Sequence, residues 1–190
     1  WARHWLDVAG YADSEGGVDD DPVRANSFRY RDWVIRSMDA DMPLDQFIQQ
    51  QLAGDEMVGR KLENLTPDEV SKLTATGFLR MAPDGTGSGD VNQDIARNSV
   101  VSETIKIVST SLLGITVGCA QCHDHKFDPI LQSDFYRLQA YFAGIVLADS
   151  VPMGTPEQLK AYQLQMAGWL SRTRPLRSEL QAIEHTGLVK

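Results

Sequence analysis

The sequence predicts a mainly α-helical protein, in which an irregular helical domain with long loops is followed by a C-terminal helical arm or hairpin. Apolar residues recur every three or four positions through most of the chain, which is the period of an amphipathic helix. Two helix starts, Thr66-Pro67-Asp68-Glu69 and Thr155-Pro156-Glu157, combine a capping threonine with proline at the first helical position. One short apolar run, 112–117, would suit a strand, but the chain offers no second strand to pair with it.

Four helices are predicted before the first long glycine-rich loop, at about 1–9, 28–40, 44–53 and 67–73. On the first, Trp1, Trp5 and Val8 share one face. Gly54 follows the third helix and is predicted to be its C-terminal glycine. The loop 84–90 is rich in glycine, but it lacks the Gly-Lys-Ser/Thr ending that a phosphate-binding loop needs.

The acidic loop 11–22 lies between the first two helices and is a possible calcium site from Asp13 to Asp21. An EF-hand does not fit, because Gly17 and Val18 fall where the third acidic ligand and the glycine of that motif belong. A solvated acidic loop is therefore favoured over a calcium site.

In the second half of the chain, a longer helix is predicted over 91–113, closed by Gly114, and another ends at Gly144. Beyond Thr155 the apolar residues alternate three and four apart, which forms a heptad seam. The seam consists of Leu159, Tyr162, Met166, Trp169, Thr173, Leu176, Leu180 and Ile183. Pro175 interrupts it, so the sequence predicts either a bent helix or a hairpin, and an arm towards a further domain or partner is favoured.

The composition is that of an ordinary globular protein, with 42% hydrophobic and 23% charged residues among 190. A net charge of −8 argues against a nucleic-acid partner. No apolar run is long enough to span a membrane. Because the sequence opens at Trp1 and not at Met, we expect it to be a piece of a longer protein.

The most specific motif is Cys119-Ala120-Gln121-Cys122-His123, which contains both cysteines of the chain. Two thiols at this spacing can form thioethers to the two vinyl groups of a haem, and the following imidazole then lies beneath the iron. The spacing C-x-x-C-H therefore predicts a c-type haem attachment site.

Two other chemistries use a C-x-x-C pair. A structural zinc site would take Cys119, Cys122, His125 and one further ligand, and it stays open as an alternative. A thioredoxin-like redox pair needs a surrounding βαβ pattern, which this sequence does not provide. Haem is favoured over both, because a histidine directly follows the second cysteine.

Long blocks of the sequence resemble the DUF1549 family, also called PSCyt2, a family of planctomycete secreted proteins described as cytochrome-c-like. The blocks are WARHWLD (1–7), YADS (11–14), RYRDWVI (29–35), QLAGD (51–55), TGFLR (76–80) and TVGCAQCHDHKFDPI (116–130). The resemblance implies a cytochrome-c-like domain over 1–150 and a helical linker or arm over 151–190 towards a further domain. It also implies a periplasmic, secreted or cell-surface location. The residue before Tyr11 and the loop 84–90 depart from the family pattern, and neither touches the motif.

Carried over to this chain, the motif makes Cys119 and Cys122 the thioether residues and His123 the proximal ligand. His125 cannot bind the other face of the same iron, since two residues of chain reach at most about 7 Å. His4 is the first candidate for the distal ligand and Met81 the alternate. A histidine would give a lower-potential carrier, a methionine a higher-potential one, and an open position a haem able to do chemistry.

The sequence therefore predicts an electron-transfer domain with haem c, which exchanges electrons with a redox partner protein or with further domains of the same polypeptide. One alternative is a zinc- or calcium-stabilised binding module without a redox role. Another is a haem enzyme with an open distal site, in which His4 or His125 would act as an acid or base.

Overall fold

Helices make up almost all of the regular structure in the computed structural model, which describes residues 1–16, 21–59, 65–86, 91–147 and 156–188. In this part of the chain the only β-pairing is an isolated antiparallel bridge between Ser14 and Val23. The predicted mainly α-helical class is confirmed. The α-helices are α1 (Ala2–Val8), α2 (Ser27–Asp39), α3 (Leu44–Val58), α4 (Pro67–Ala75), α5 (Gln93–Val108), α6 (Gln132–Phe142) and α7 (Pro156–Leu188).

Three short helical turns connect these helices. A 3₁₀ helix, Thr76–Arg80, follows α4, and a π-helical turn, Ser109–Leu113, extends α5 to the left-handed residue Gly114. A second 3₁₀ helix, Val117–Gln121, contains the first cysteine of the motif and is called the motif helix below. The apolar run 112–117 is therefore no strand, because its first residues complete the turn that ends α5.

The chain divides into two compact units. The first consists of Trp1–Lys61 and Pro67–Val151, and the second of Leu62–Thr66 and Pro152–Lys190. In the second unit, α7 continues through Pro175 as one helix, so the hairpin alternative is not formed.

A first core cluster is built mainly from aromatic residues of α2, α3 and the 3₁₀ helix after α4. Trp33 and Phe47 stack with their ring centroids 5.1 Å apart, and Trp5 packs edge-on against Phe47. The Trp5 indole also donates to the Gln51 amide oxygen, which in turn accepts from the Tyr30 hydroxyl at 2.6 Å. These bonds satisfy the buried polar atoms of the cluster and fix α1 against α2 and α3.

A second, smaller cluster joins α5, α6 and the motif helix. Its buried members are Val101, Ile105, Val117, Ala120 and Phe135. Because two of these belong to the motif helix, the packing of this cluster determines which side of the motif helix faces solvent.

A buried ion network holds the loop after α1 against the 3₁₀ helix that follows α4. Glu15 pairs with Arg24 at 3.1 Å and with Arg80 at 3.0 Å, and Arg80 also pairs with Asp84 at 2.8 Å. Burial raises the pKa of Asp84, but hydrogen bonds from Thr86 and the charges of Arg80 and Arg24 outweigh it and lower that pKa overall. The network contains two positive and two negative side chains. Because each buried charge has a partner of opposite sign, the cost of removing it from water is offset.

Candidate functional site

The motif helix turns its two cysteines towards solvent. Val117 and Ala120 are buried in the second core cluster, and the backbone between them leaves Cys119 on the opposite side. Cys119 and Cys122 are both exposed and form no disulfide. Both thiols are therefore accessible to a reactant that approaches from outside the domain.

Gly118 lets the motif helix lie close to α5. A β-carbon at this position would be 2.6 Å from Cγ of Lys106, so a larger residue would displace the lysine side chain. The glycine that precedes the first cysteine thus has a packing role.

His123 is exposed, and its ring is oriented by the backbone. Its Nδ1 atom is 2.7 Å from the carbonyl oxygen of Asp124. A carbonyl only accepts, so Nδ1 must carry the proton and donate. The neutral ring then has its free lone pair on Nε2, and this is the hydrogen-bonding pattern that prepares a histidine for metal ligation.

The His125 ring, in contrast, is engaged at both nitrogens by its own loop. Nδ1 accepts the backbone N–H of Asp128 at 2.8 Å and that of Phe127 at 3.3 Å. Nε2 lies 3.0 Å from the Thr116 hydroxyl oxygen. Two N–H donors on Nδ1 require the proton on Nε2, so His125 donates to Thr116.

The carboxylate of Asp128 also lies 3.3 Å from Nδ1 of His125, which would be an ion pair only if the ring were charged. A protonated Nδ1 could not accept from the two backbone N–H groups, so the neutral ring explains more of the contacts. His125 is therefore a structural residue, whose hydrogen bonds hold the loop after the motif in its conformation.

The start of α6 holds the other side of this loop. The backbone N–H of Gln132 donates to the Asp124 carboxylate at 2.8 Å. The Gln132 amide and the Tyr136 hydroxyl each donate to the Gln121 carbonyl at 3.1 Å. The backbone on both sides of Cys122 and His123 is thus fixed by tertiary hydrogen bonds.

Apolar side chains are exposed in the same loop and on α6. Phe127 is 83% exposed, and Leu131 and Tyr136 are also exposed. The Lys126 ammonium lies 5.3 Å from the centroid of the Phe127 ring. Exposed apolar groups of this kind are typical of a surface that contacts an apolar ligand or a partner.

The structure places the two distal-ligand candidates in very different environments. His4 is exposed on α1, and its ring lies edge-on to Trp1 with the centroids 6.1 Å apart. Met81 is 4% exposed and belongs to the first core cluster. Neither residue is a member of the cluster that holds the motif helix.

The possible calcium loop lies partly outside the described residues, since 17–20 are not among them. The carboxylates on either side of this gap have protein partners. Asp13 accepts from the hydroxyls of Tyr11 and Ser27, and both bonds lower the pKa of its carboxyl. Asp21 accepts from the backbone N–H of Gly16 at 2.9 Å.

The described residues contain no group of three or more His, Cys, Asp or Glu side chains that could hold a metal ion. A zinc site needs about four such donors together. A c-type haem needs only one from this motif, because its cysteines bond to the porphyrin and not to the metal. Cys119, Cys122 and His123 are thus the residue types that haem attachment uses, whereas the zinc alternative of Cys119, Cys122, His125 and a fourth ligand is not assembled among the described residues.

Several residues that shape the site have no signal in the sequence. Thr116, Asp124 and Gln132 take part through hydrogen bonds between segments that fold together, and their residue types are common in any loop.

One family model, described as PSCyt2, a protein of unknown function (DUF1549), matches residues 1–146. Comparisons with curated proteins and with solved structures gave no match. The match covers both core clusters and the complete motif. Among the described helices, none has the length and apolar character needed to cross a bilayer.

Proposed function

Since the chain belongs to the PSCyt2 (DUF1549) family, we propose that it is a c-type haem domain that transfers electrons. The haem would be attached through Cys119 and Cys122, with His123 as the proximal ligand. The family name points to a cytochrome. The main support for the proposal is the geometry of the motif. Its two thiols are free and exposed, and the following imidazole bonds through Nδ1, which leaves Nε2 available.

Each residue of the motif has a distinct task in this proposal. The thiols of Cys119 and Cys122 each add to a vinyl group and fix the position of the macrocycle. The Asp124 carbonyl holds the His123 ring and increases the basicity of its Nε2. A bound haem would supply a one-electron couple at an iron ligated by His123.

The exposed position of the motif supports a carrier role. Both cysteines are exposed, and Phe127, Leu131 and Tyr136 are exposed apolar residues of the motif loop and α6. A cofactor held at the surface is close to any partner that docks there. The partner would be a redox protein or a further domain of the same polypeptide.

For the distal side, His4 remains the first candidate and Met81 the alternate. Met81 would have to leave the first core cluster to reach a ligand outside it, whereas His4 is already exposed. Covalent attachment of haem takes place outside the cytoplasm, so the proposal also implies a periplasmic, secreted or cell-surface protein.

The direct test is expression together with c-type haem maturation enzymes, followed by a pyridine haemochrome spectrum and a haem stain after denaturing electrophoresis. We expect a haem band that persists under denaturation. Cys119→Ala and Cys122→Ala should each shift the haemochrome band towards that of a single thioether, and the double variant should lose covalent haem. Protein without any covalent haem would overturn the proposal.

The same preparation distinguishes a carrier from an enzyme. If His4 is the distal ligand, His4→Ala should open the iron to carbon monoxide, while Met81→Leu should not change the reduced spectrum. Carbon monoxide binding by the unmodified reduced protein would instead indicate an open distal site.

A further inference from the structure

Of the described helices, α7 is the longest. The apolar seam along one of its faces is exposed and has no helix packed against it among the described residues. The 33 residues of α7 extend over about 50 Å at 1.5 Å per residue. Five large seam residues are between 49% and 66% exposed. They are Tyr162, Trp169, Leu176, Leu180 and Ile183. A helix gains most of its stability by burying such a face, so the seam predicts that another helix packs along it.

We propose that this second helix is α7 of another copy of the chain, aligned antiparallel. With Leu159 and Tyr162 as positions a and d of the first heptad, Met166, Thr173 and Leu180 fall at a, and Trp169, Leu176 and Ile183 at d. In an antiparallel pair, a residues face d residues of the other helix. Centred between Thr173 and Leu176, the two seams overlap from Met166 to Ile183, and Leu159 and Tyr162 extend beyond the overlap.

In this alignment, large seam residues of one helix lie opposite smaller seam residues of the other. Trp169 faces Leu180 of the second copy, Met166 faces Ile183, and Thr173 faces Leu176. Alternation of large and small residues across a seam allows close packing without voids.

The charges beside the seam distinguish a parallel from an antiparallel pair of helices. Arg172 and Glu179 occupy g positions and Arg177 an e position, and all three side chains are exposed. In a parallel pair, g faces the e position of the following heptad, so Arg172 would meet Arg177 and two like charges would repel. In the antiparallel pair, g faces g, and Arg172 meets Glu179 twice, once on each side of the symmetry axis.

Pro175 is compatible with this arrangement. It occupies position c, away from the seam, and it lies at the centre of the overlap. A bend at Pro175 would therefore fall at the same height in both copies, at the centre of the overlap.

The test is the mass of the haem-free 190-residue chain as a function of concentration, measured by light scattering or sedimentation. The monomer mass is 21.1 kDa, and we expect the mass to rise towards twice that value. Leu180→Glu should abolish the association. Ser178→Glu adds the same charge at position f, off the seam, and should leave the association intact.

A charge exchange tests the direction. Arg172→Glu and Glu179→Arg should each weaken the dimer about tenfold, because two attractive pairs become repulsive. The combined variant should restore the original affinity. Arg172→Glu would instead strengthen a parallel dimer, and that outcome would overturn the antiparallel arrangement.

A chain that stays monomeric at all concentrations, or a dimer that survives Leu180→Glu, would overturn the proposal altogether. Far-UV circular dichroism should confirm that each variant keeps its helical content. Since no measurement here involves haem, failure of this proposal would leave the proposed electron-transfer function untouched.

Discussion

At the scale of single residues, His125 shows how a histidine close to a functional motif can have a structural task. Its two ring nitrogens bond to Thr116 and to two backbone N–H groups of its own loop. The loop it closes contains His123 and the Asp124 carbonyl that orients it. His125 therefore supports the proposed proximal ligand without being a ligand itself.

Replacement of His125 by alanine should lower the free energy of unfolding by about 1 kcal/mol, because the N–H groups of Phe127 and Asp128 lose the hydrogen bonds that they donate to Nδ1. Urea denaturation at neutral pH measures this difference. His4→Ala is the matched control, since His4 is exposed on α1, and it should change stability by less than about 0.5 kcal/mol. Equal stability of the two variants would contradict the assigned role of His125.

The motif itself could be predicted from the sequence. The hydrogen bonds that hold its loop against other segments could not. The order of Cys119, Cys122 and His123 along the chain is itself the chemical signal for haem attachment. The bond from Gln132 to Asp124 and that from His125 to Thr116 depend on how α6 and the motif helix pack. No spacing rule describes such contacts, which is why His125 stayed open as a zinc ligand or an acid–base group.

At the scale of elements, glycine was the residue most easily misread. Gly54 was predicted to end α3, but the helix continues to Val58 and is closed by Gly59, whose φ of +85° favours glycine. The helix is interrupted at Ala53, and Gly54 lies against the Lys72 carbonyl of α4. The predicted end therefore coincides with an interruption of α3 and not with its last residue, because a glycine that permits two helices to approach looks, in sequence, like a glycine that ends one.

Gly54→Ala tests this close approach. A β-carbon at this position would lie 2.1 Å from the Lys72 carbonyl oxygen, so α3 and α4 would have to separate. We expect a loss of about 3 kcal/mol in unfolding free energy, measured by urea denaturation. Gly144→Ala is the control, because a β-carbon there has no neighbour within 4 Å, and its effect should stay below about 0.5 kcal/mol. A similar stability for both variants would show that α3 and α4 adjust freely.

The boundaries of the other helices followed the apolar period closely. The helix predicted over 91–113 is present as α5 and its π-helical turn, ended by Gly114 with a φ of +65°. Asn92 caps it by accepting from the N–H groups of Asp94 and Ile95. The capping residue and the closing glycine are each encoded locally, and this makes the bounds of such an element predictable.

At the scale of the whole molecule, both core clusters lie in the first unit, while Leu65 is a buried apolar residue of the second. Both core clusters, with the partly buried residues packed against them, fall between Ala2 and Phe142. The mainly α-helical class could be predicted from periodicity alone. The ion network of Glu15, Arg24, Arg80 and Asp84 could not, since it joins segments that are distant in sequence and lack any shared pattern.

This arrangement predicts that a chain ending at Val151 folds without α7. Urea denaturation of the truncated chain should show one cooperative transition with an unchanged midpoint, because no described core residue is removed. Circular dichroism should show a loss of helical signal that corresponds to α7 alone. A broad transition or a lower midpoint would show that the second unit contributes to the stability of the first.

The outward position of Cys119, Cys122 and His123 also bears on the order of events during biogenesis. Neither core cluster includes any of the three, so the packing of both clusters does not depend on these side chains. In zinc fingers, by contrast, metal binding and folding are one transition. Under the proposed function, attachment enzymes would therefore meet a chain whose core clusters are already packed, and a shortage of haem would leave folded protein instead of unfolded chains open to proteolysis.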